Sequence, residues 1–283
     1  MLNPQDTMNR STWSLAESHD WLRSLEGFTD AGEVAAYGRL APRVRGLPIL
    51  ELGVGAGRAV PLLRNLSTDY VGIDYLAPMV ESTRQRYPDA DIRLGDARDL
   101  SAFAADRFGL VVFSFMGIDA VDREGRARIL SEAHRVLRPG GHFWFSTLNL
   151  SGPHARERPW NYALPGPAQN RFAIETLRWL WRYPRRYLAY ARNRRRRVRG
   201  EGWEVAPFSA HDFALLVHYT TLGRQVLDLL AAGFEPAPLL LENAHGETVH
   251  PTDDLGQVEA FNVIARKPEA QPSSSARGAA AAT

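Results

Sequence analysis

The residues with the clearest chemical potential in this 283-residue chain form a glycine-rich segment, with Gly53, Gly55 and Gly57 spaced two apart. The segment follows the apolar run 48–52 and precedes a helix-like stretch. This order predicts a strand, a tight turn and a helix start, at which a ligand can approach bare backbone. A dinucleotide site requires its third glycine three positions after the second. The shorter spacing here favours S-adenosylmethionine over a pyrophosphate-containing cofactor.

Two acidic residues follow the glycine segment at the ends of apolar runs. Asp74 ends the run 70–74, and Asp96 comes shortly after the run 91–94. Open α/β sheets bind ligands at the carboxyl ends of their parallel strands, so both carboxylates are expected at one edge. Asp74 could accept hydrogen bonds from both hydroxyls of a ribose, and Asp96 could accept one from an adenine amino group.

The elements that must position these residues alternate along the chain, which predicts a parallel sheet with helices between its strands. A last helix and two further strands follow a long irregular stretch, and the first part of the chain is helical. The predicted strands cover 48–52, 70–74, 91–94, 110–114, 142–147, 238–241 and 260–266, and the predicted helices lie within 11–45 and near 57–65, 77–86, 124–137 and 221–232.

Composition divides the chain into four predicted parts. Residues 1–45 form an N-terminal helical lid, and 46–150 together with 207–268 form the α/β core. Residues 151–206 are rich in arginine, proline and aromatic side chains, which indicates an inserted cap. Residues 269–283 are mostly proline, serine and alanine, so this tail cannot bury a core and is predicted to be disordered.

The composition also excludes several classes of protein. The chain has no cysteine, which excludes disulfides, thiolate nucleophiles and cysteine metal sites. It has no apolar run long enough to span a bilayer and no apolar leader at Met1–Arg10, so we expect a cytoplasmic enzyme. No paired acidic cluster follows the predicted strands, and we predict no metal site.

Positive charge is concentrated in one segment. Nine arginines and no acidic residue lie within 182–199, which leaves the rest of the chain with a formal net charge of −7. The segment could be a solvated helix face, or Arg194–Arg197 could contact an anionic substrate, carrier or membrane surface. Nucleic acid is the least favoured partner, because such proteins usually spread basic residues over a whole binding face. The interleaved aromatics Trp179, Trp181, Tyr183, Tyr187 and Tyr190 could line an acceptor pocket.

The segments 51–58, 72–74, 95–100 and 135–141 together resemble the motifs of class I S-adenosylmethionine-dependent methyltransferases. The resemblance covers about residues 46–150. It implies a Rossmann-like sheet of seven strands in the order 3-2-1-4-5-7-6, with helices on both faces. S-adenosylmethionine is the cofactor that it implies.

The resemblance also implies a role for individual residues. Gly53, Gly55 and Gly57 would let the turn approach the methionine part of the cofactor, and Glu51 would orient its amino group. The adenine would pack near Tyr75 and Met79 and be read by Asp96 and the backbone of Ala97. A carbonyl near Phe113 or Ser114 would accept from the ammonium group. Tyr37 would either touch the cofactor carboxylate or belong to the core.

A closer resemblance, to a bacterial subgroup acting on small molecules, is carried by 113–119, Asn149-Leu150, a Pro-Arg-Arg segment and His218-Tyr219. It implies methyl transfer to an oxygen or nitrogen of a small metabolite. The alternatives are a tRNA or DNA methyltransferase guided by the arginine segment, and a non-catalytic cofactor-binding protein. The Asp/Asn-Pro-Pro-aromatic tetrapeptide typical of DNA amino methylation is absent after strand four.

A general base is the least determined part of the site. The sulfonium is already activated, so alignment and desolvation can suffice, whereas a hydroxyl acceptor benefits from a histidine base. His218 and Tyr219, which precede the last predicted helix, are the expected catalytic residues. The other candidates are His19, His154, His211, His245 and His250.

Overall fold

The computed structural model of the protein describes residues 4–25, 27, 28, 30–161 and 172–270. Residues 271–283, most of the predicted disordered tail, lie outside this range. No helix within the described part of the chain is both long and apolar enough to cross a membrane.

Five parallel strands form the centre of the fold, in the order β3-β2-β1-β4-β5. They are β1 (Ile49–Leu52), β2 (Tyr70–Asp74), β3 (Asp91–Leu94), β4 (Phe108–Phe113) and β5 (Leu137–Asn149). Every residue of β1, β2 and β4 is buried. Such continuous apolar runs are expected of parallel strands covered on both faces.

Two antiparallel strands complete the predicted sheet. The last strand, β10 (Ala260–Arg266), pairs along β5 from Leu148 to His142, and β9 (Leu239–Glu242) pairs with the outer edge of β10. The order 3-2-1-4-5-7-6 is therefore confirmed for these strands.

The sheet nevertheless holds ten strands rather than seven among the described residues. The three extra strands, β6 (Val198–Gly200), β7 (Trp203–Phe208) and β8 (Leu215–Thr220), form an antiparallel ladder. β8 joins β5 in parallel at Leu148–Asn149, beyond the point where β4 ends. The ladder was not predicted, because arginines in β6 and Pro207 in β7 obscure the strand pattern. β7 crosses the predicted boundary between residues 206 and 207.

Helices cover both faces of the sheet. Those of the core are α4 (Val60–Arg64), α5 (Ala77–Arg86), α6 (Arg123–Val136) and α9 (Leu222–Ala231). Asp122 caps α6 by accepting from the Gly125 amide at 2.7 Å. The N-terminal part forms α1 (Pro4–Trp13), α2 (Ala16–Ser24) and α3 (Ala31–Val44), and the insertion forms α7 (Pro153–Arg156) and α8 (Phe172–Asn193). Helix therefore begins at Pro4, earlier than predicted.

A fully buried ion pair fixes the carboxyl edge of the sheet. Arg126 of α6 is paired with Asp119, which lies in the turn after β4. Arg126 also donates to Thr147 of β5 at 3.0 Å and to Gln225 of α9. Four elements are thus joined at one guanidinium, just below the edge at which ligands bind in this type of sheet.

The N-terminal helix α1 is tied to the ladder strand β8. The side-chain amide of Asn9 donates to the carbonyls of Leu216 and Ala120, both at 2.7 Å, and its oxygen accepts from the Leu216 amide at 3.1 Å. Gln5 donates to the same Leu216 carbonyl at 3.1 Å. These contacts hold α1 over the carboxyl edge of the sheet.

Candidate active site

A cavity of about 290 Å³ opens at the carboxyl ends of the central strands. Its floor is the glycine turn after β1 together with the ends of β2 and β4. Its other wall comes from α1, α2 and the β7–β8 hairpin. The two halves differ in chemistry, since the first consists of backbone and carboxylates and the second of aromatic rings.

The glycine turn needs residues without side chains. Gly53 has a φ of +64°, and a Cβ atom there would lie 2.6 Å from the Phe113 ring. Gly55 has a φ of +54°, and its amide donates to Asp74 at 2.9 Å. Both glycines line the cavity. Gly57 does not line it; a Cβ atom there would lie 2.7 Å from the ring of Tyr87, the residue after α5.

Asp74 is buried at the end of β2 and lines the cavity. One carboxylate oxygen accepts from Gly55 and the other from the Leu76 amide at 2.8 Å. A carboxylate can accept about four hydrogen bonds, so two lone pairs remain for a ligand. Burial raises the pKa of Asp74 above its usual value. Tyr75 and Met79 line the cavity beside it.

Glu51 and Arg58 are two further charged side chains that line the cavity. Burial raises the pKa of Glu51 to about 7, although its carboxylate accepts a hydrogen bond from the Tyr70 hydroxyl. Arg58 forms a two-pronged pair with Glu33 of α3 at 2.6 and 2.8 Å. It also donates to the Ser114 hydroxyl at 3.1 Å. Arg58 is thus a buried cation held at the end of the glycine turn.

Asp96 faces a smaller, adjoining cavity of about 30 Å³, which Ala97 also lines. Its two oxygens accept from the backbone and guanidinium of Arg98 at 2.7 to 3.0 Å and from Arg10 of α1 at 3.0 Å. Burial opposes ionisation of Asp96, but the hydrogen bonds from Arg98 lower its pKa overall. Arg10 also lies 4.2 Å from the centre of the Tyr75 ring. The acceptor capacity of Asp96 is therefore already filled.

Aromatic side chains from distant segments form the other half of the cavity. The His211 ring lies 4.6 Å from Trp13 and 5.2 Å from Trp21, and Trp21 lies 5.6 Å from Phe115. Phe208 of β7 completes this wall. Phe115 lies two residues after the end of β4 and has a φ of +55°. Backbone strain of this kind is typical of functional sites.

Two histidines line the cavity. Burial lowers the pKa of His211 to about 4, so its imidazole is neutral at pH 7. His154 lies between two carboxylates, 3.3 Å from Glu157 and 3.4 Å from Glu259. Its hydrogen bond with Glu157 raises the pKa of His154. His154 is therefore held by acidic partners, whereas His211 has only aromatic neighbours and Asp212 beside it.

Residues 49–141 match the sequence model of a methyltransferase domain family. A probable S-adenosylmethionine-dependent methyltransferase of Mycolicibacterium smegmatis is 35% identical over 156 residues, which are 55% of this chain and 56% of that protein. The chain contains a class I S-adenosylmethionine-dependent methyltransferase domain. It spans about half the length of the curated relatives it matches.

Solved structures share the methyltransferase fold. An S-adenosylmethionine-dependent methyltransferase from Mesorhizobium loti aligns with a TM-score of 0.54 at 23% identity, over 84% of this chain and 98% of that one. The 1,6-didemethyltoxoflavin-N1-methyltransferase of Burkholderia thailandensis aligns with a TM-score of 0.56 at 15% identity, over 95% and 92% of the two chains. Its structure holds 1,6-didemethyltoxoflavin and S-adenosylhomocysteine.

The methyltransferase domain brings most of the residues predicted to bind the cofactor to one edge. Glu51, Asp74, Tyr75, Met79, Phe113 and Ser114 line the main cavity with Gly53 and Gly55, and Asp96 and Ala97 line the smaller one. Tyr37 lies elsewhere, since its ring packs 5.2 Å from Phe28 and its hydroxyl donates to the Leu62 carbonyl at 3.4 Å. This placement fits the predicted alternative of a core tyrosine.

The structure does not bring His218 to the cavity. Leu215 and Val217 of β8 line it, and side chains alternate along a strand, so His218 points to the opposite face. There it stacks on Trp203 at 5.6 Å, fully buried. Burial and the charges of Arg126, Arg123 and Arg224 lower its pKa to about 2. This buried position, away from the cavity and near arginines, gives no support to His218 as a general base.

The other predicted catalytic residue and two candidate histidines also lie away from the cavity lining. Tyr219 is buried among apolar side chains of the ladder, and its hydroxyl has no hydrogen-bond partner among the described residues. Burial raises its pKa far above the usual value. His245 is 78% exposed, and His250 lies on an exposed turn. The side chain of His19 lies outside the described residues.

Sequence reasoning missed the roles of three arginines around the two cavities. Arg58 was visible as the residue after the third glycine, but only its tertiary pair with Glu33 shows that it is buried. Arg10 and Arg98 converge on Asp96 from α1 and from the turn after β3.

No group of three histidine, aspartate or glutamate side chains arranged to hold a metal ion occurs in the described part of the chain.

Proposed function

We propose that this protein transfers the methyl group of S-adenosylmethionine to an oxygen or nitrogen atom of a small organic acceptor. The observation that carries the proposal is the single cavity that joins the glycine turn and Asp74 to an aromatic chamber under α1 and α2. A cavity with two chemically distinct halves provides adjacent places for two reactants.

The residues of the first half fit the groups of S-adenosylmethionine. Asp74 has free lone pairs for two ribose hydroxyls, and the turn is bare at Gly53 and Gly55. Glu51 would face the ammonium group, whose positive charge would favour the ionised form of the Glu51 carboxylate. Arg58 would attract the carboxylate by its positive charge, since both terminal nitrogens of its guanidinium already donate within the protein. Asp96 is engaged by Arg10, so we propose that reading the adenine requires Arg10 to give up its contact.

The chain contributes mainly alignment and exclusion of water. When bound, S-adenosylmethionine supplies an activated methyl group. Trp13, Trp21 and Phe115 form an apolar wall that would orient a flat or apolar acceptor and keep water away. Positioning and desolvation of this kind account for large rate gains in bimolecular reactions.

His211 would accept the proton that the acceptor loses. Its imidazole lines the aromatic half, and its pKa of about 4 leaves it neutral at physiological pH. The burial that lowers this pKa also makes His211 a weaker base than a free imidazole. Only a neutral imidazole can accept a proton. His154 is less suited, because both of its ring nitrogens face carboxylates.

Calorimetry and a methyl-transfer assay test the proposal. S-adenosylhomocysteine should bind and raise the melting temperature by linkage. Labelled S-adenosylmethionine should transfer its methyl group to small-metabolite fractions and not to tRNA or DNA. Binding of NAD without S-adenosylmethionine would overturn the assignment of the cofactor, and transfer only to nucleic acid would overturn that of the acceptor.

A further inference from the structure

The second half of α8 and the turn after it carry an exposed stripe that the proposed methyl transfer does not use. The stripe, called here the arm face, consists of Trp181, Arg185, Leu188, Arg192 and Arg195. Their spacing of four, three, four and three residues places them on one side of a helix. Trp181 is 61% exposed and Leu188 is 67% exposed.

The opposite side of the same segment is packed against the protein. Tyr190 is buried and lies 5.3 Å from Phe213, and Asn193 donates to the Phe213 carbonyl at 2.8 Å. Arg182 pairs with Asp212 at 2.8 Å, and Arg186 pairs with the same carboxylate. The helix is therefore anchored on one side, and the arm face points away from the body of the protein.

The charge of the arm face is not neutralised by the protein. Residues 181–200 contain no acidic residue. Arg197 and Arg199 pair with Glu204, but Arg185, Arg192, Arg194 and Arg195 have no acidic partner among the described residues. These four exposed cations lie together on a chain that is acidic elsewhere, so they are complementary to an anionic partner.

The arm face is also apolar. The guanidinium of Arg185 lies 3.4 Å from the centre of the Trp181 ring. Outside the arm face, Tyr187 of α8 is 50% exposed and Val198 of β6 is 53% exposed. Large apolar side chains beside unpaired arginines are typical of helices that lie in the plane of a membrane surface.

We propose that the arm face docks on an anionic membrane surface. Its arginines would meet acidic head groups, while Trp181 and Leu188 would enter the boundary between head groups and acyl chains. A nucleic acid would satisfy the arginines and could stack on Trp181, but it would leave Leu188 in water. The combination of aliphatic and cationic side chains therefore favours lipid.

The test is co-sedimentation of the full chain with vesicles. Phosphatidylcholine vesicles containing phosphatidylglycerol should bind it, and vesicles of phosphatidylcholine alone should not. Replacing Arg185, Arg192, Arg194 and Arg195 together by glutamine should weaken binding by at least about tenfold, because each arginine near an anionic surface adds to the attraction. Added salt should weaken binding of the unmodified protein, since it screens such charges.

A pair of matched variants separates insertion from simple charge attraction. Leu188→Asn should lose vesicle binding, whereas Leu227→Asn should keep it, because Leu227 is similarly exposed, at 57%, but lies on α9. Both variants should still bind S-adenosylhomocysteine, which shows that they fold. Equal loss in both variants, equal binding to neutral vesicles, or binding to DNA or RNA without vesicle binding would each overturn the proposal. None of these outcomes would bear on methyl transfer.

Discussion

The two halves of the cavity are built in opposite ways. The half that would hold the cofactor comes from one continuous part of the chain, from Glu51 to Ser114, and relies on backbone amides and carboxylates. The half that would hold the acceptor combines Trp13 and Trp21 with His211 and Phe208, which lie about two hundred residues later. The first half is a local motif, and the second exists only in the folded chain.

This difference shows where each kind of function is encoded. Because the cofactor is the same throughout the family, one short segment can provide its contacts wherever a parallel sheet ends at a glycine turn. The acceptor chamber depends on Asn9, which connects α1 to the Leu216 backbone across 207 residues. Changes in the two halves should therefore have separable effects on cofactor binding and on turnover.

The largest expected effect lies in the acceptor half. His211→Phe keeps the ring contacts with Trp13 and Trp21 but removes the nitrogen that would accept a proton. Turnover should fall by about 10²-fold, the lower end of the usual contribution of a general base, because burial weakens this imidazole as a base. Binding of S-adenosylhomocysteine, measured by calorimetry, should not change.

His218→Phe is the matched control for that comparison. Its ring stacks on Trp203 outside the cavity, so turnover should stay within a few-fold of the unmodified protein. If both variants lose activity equally, or if His211→Phe keeps it, His211 does not accept the proton and alignment alone explains catalysis.

A smaller effect is expected in the cofactor half. Asp74→Ala removes the carboxylate that would accept from the ribose, and should weaken S-adenosylhomocysteine binding by about 1.5–3 kcal/mol, the value of hydrogen bonds to a charged group. Calorimetric titration measures the change. Asp91→Ala serves as the control, because Asp91 is exposed and lies at the start of β3, at the opposite edge of the sheet from the cavity. This variant should bind S-adenosylhomocysteine normally. Equal affinities of the two variants would show that Asp74 does not hold the cofactor.

His218 should affect stability rather than catalysis. Its pKa is about 2 in the folded protein and near 6.5 in the unfolded chain. Below pH 6.5 the unfolded chain therefore binds a proton that the folded protein does not, so stability falls as the pH decreases from 6.5 towards 4.

Removing this imidazole should reduce the acid sensitivity of the fold by up to about 1.4 kcal/mol per pH unit. The measurement compares denaturant unfolding of the unmodified protein and His218→Phe at pH 7 and pH 5. His245→Asn, which changes a largely exposed histidine, should keep the original pH dependence. A His218→Phe variant that loses stability with acid as steeply as the unmodified protein would contradict the assignment.

The smallest effect is expected from the arginine segment. Replacing Arg194–Arg197 by glutamine should leave cofactor affinity within about twofold, because exposed charges are screened over about 10 Å at 0.1 M salt. Arg58→Gln, a single change in the cavity wall, should weaken cofactor binding in the same calorimetric assay. A large loss from the replacement of Arg194–Arg197 would show that the two regions are coupled. Loss of turnover alone would indicate an acceptor with an anionic group.

The sequence by itself determined the central sheet and the cofactor half. Strands such as Tyr70–Asp74 are continuous apolar runs, and the spacing of Gly53 and Gly55 is legible without any tertiary contact. Their parallel arrangement followed from the alternation of strands and helices, because parallel strands need crossover connections. Their order in the sheet was implied by the resemblance to class I methyltransferases. These features are local, and local patterns are what a sequence shows directly.

Only the tertiary structure decided the acceptor half and the roles of the histidines. His218 and His211 are seven residues apart on the same β7–β8 hairpin, yet one faces the buried Arg126 and the other faces the cavity. The face on which His218 lies depends on the register of β8 against β7, which a single-residue shift would reverse, whereas His211 lies in the turn between these strands. The positions of Trp13 and Arg10 depend equally on α1 docking on β8. Such long-range pairings are set by the fold as a whole, because no neighbouring residue encodes them.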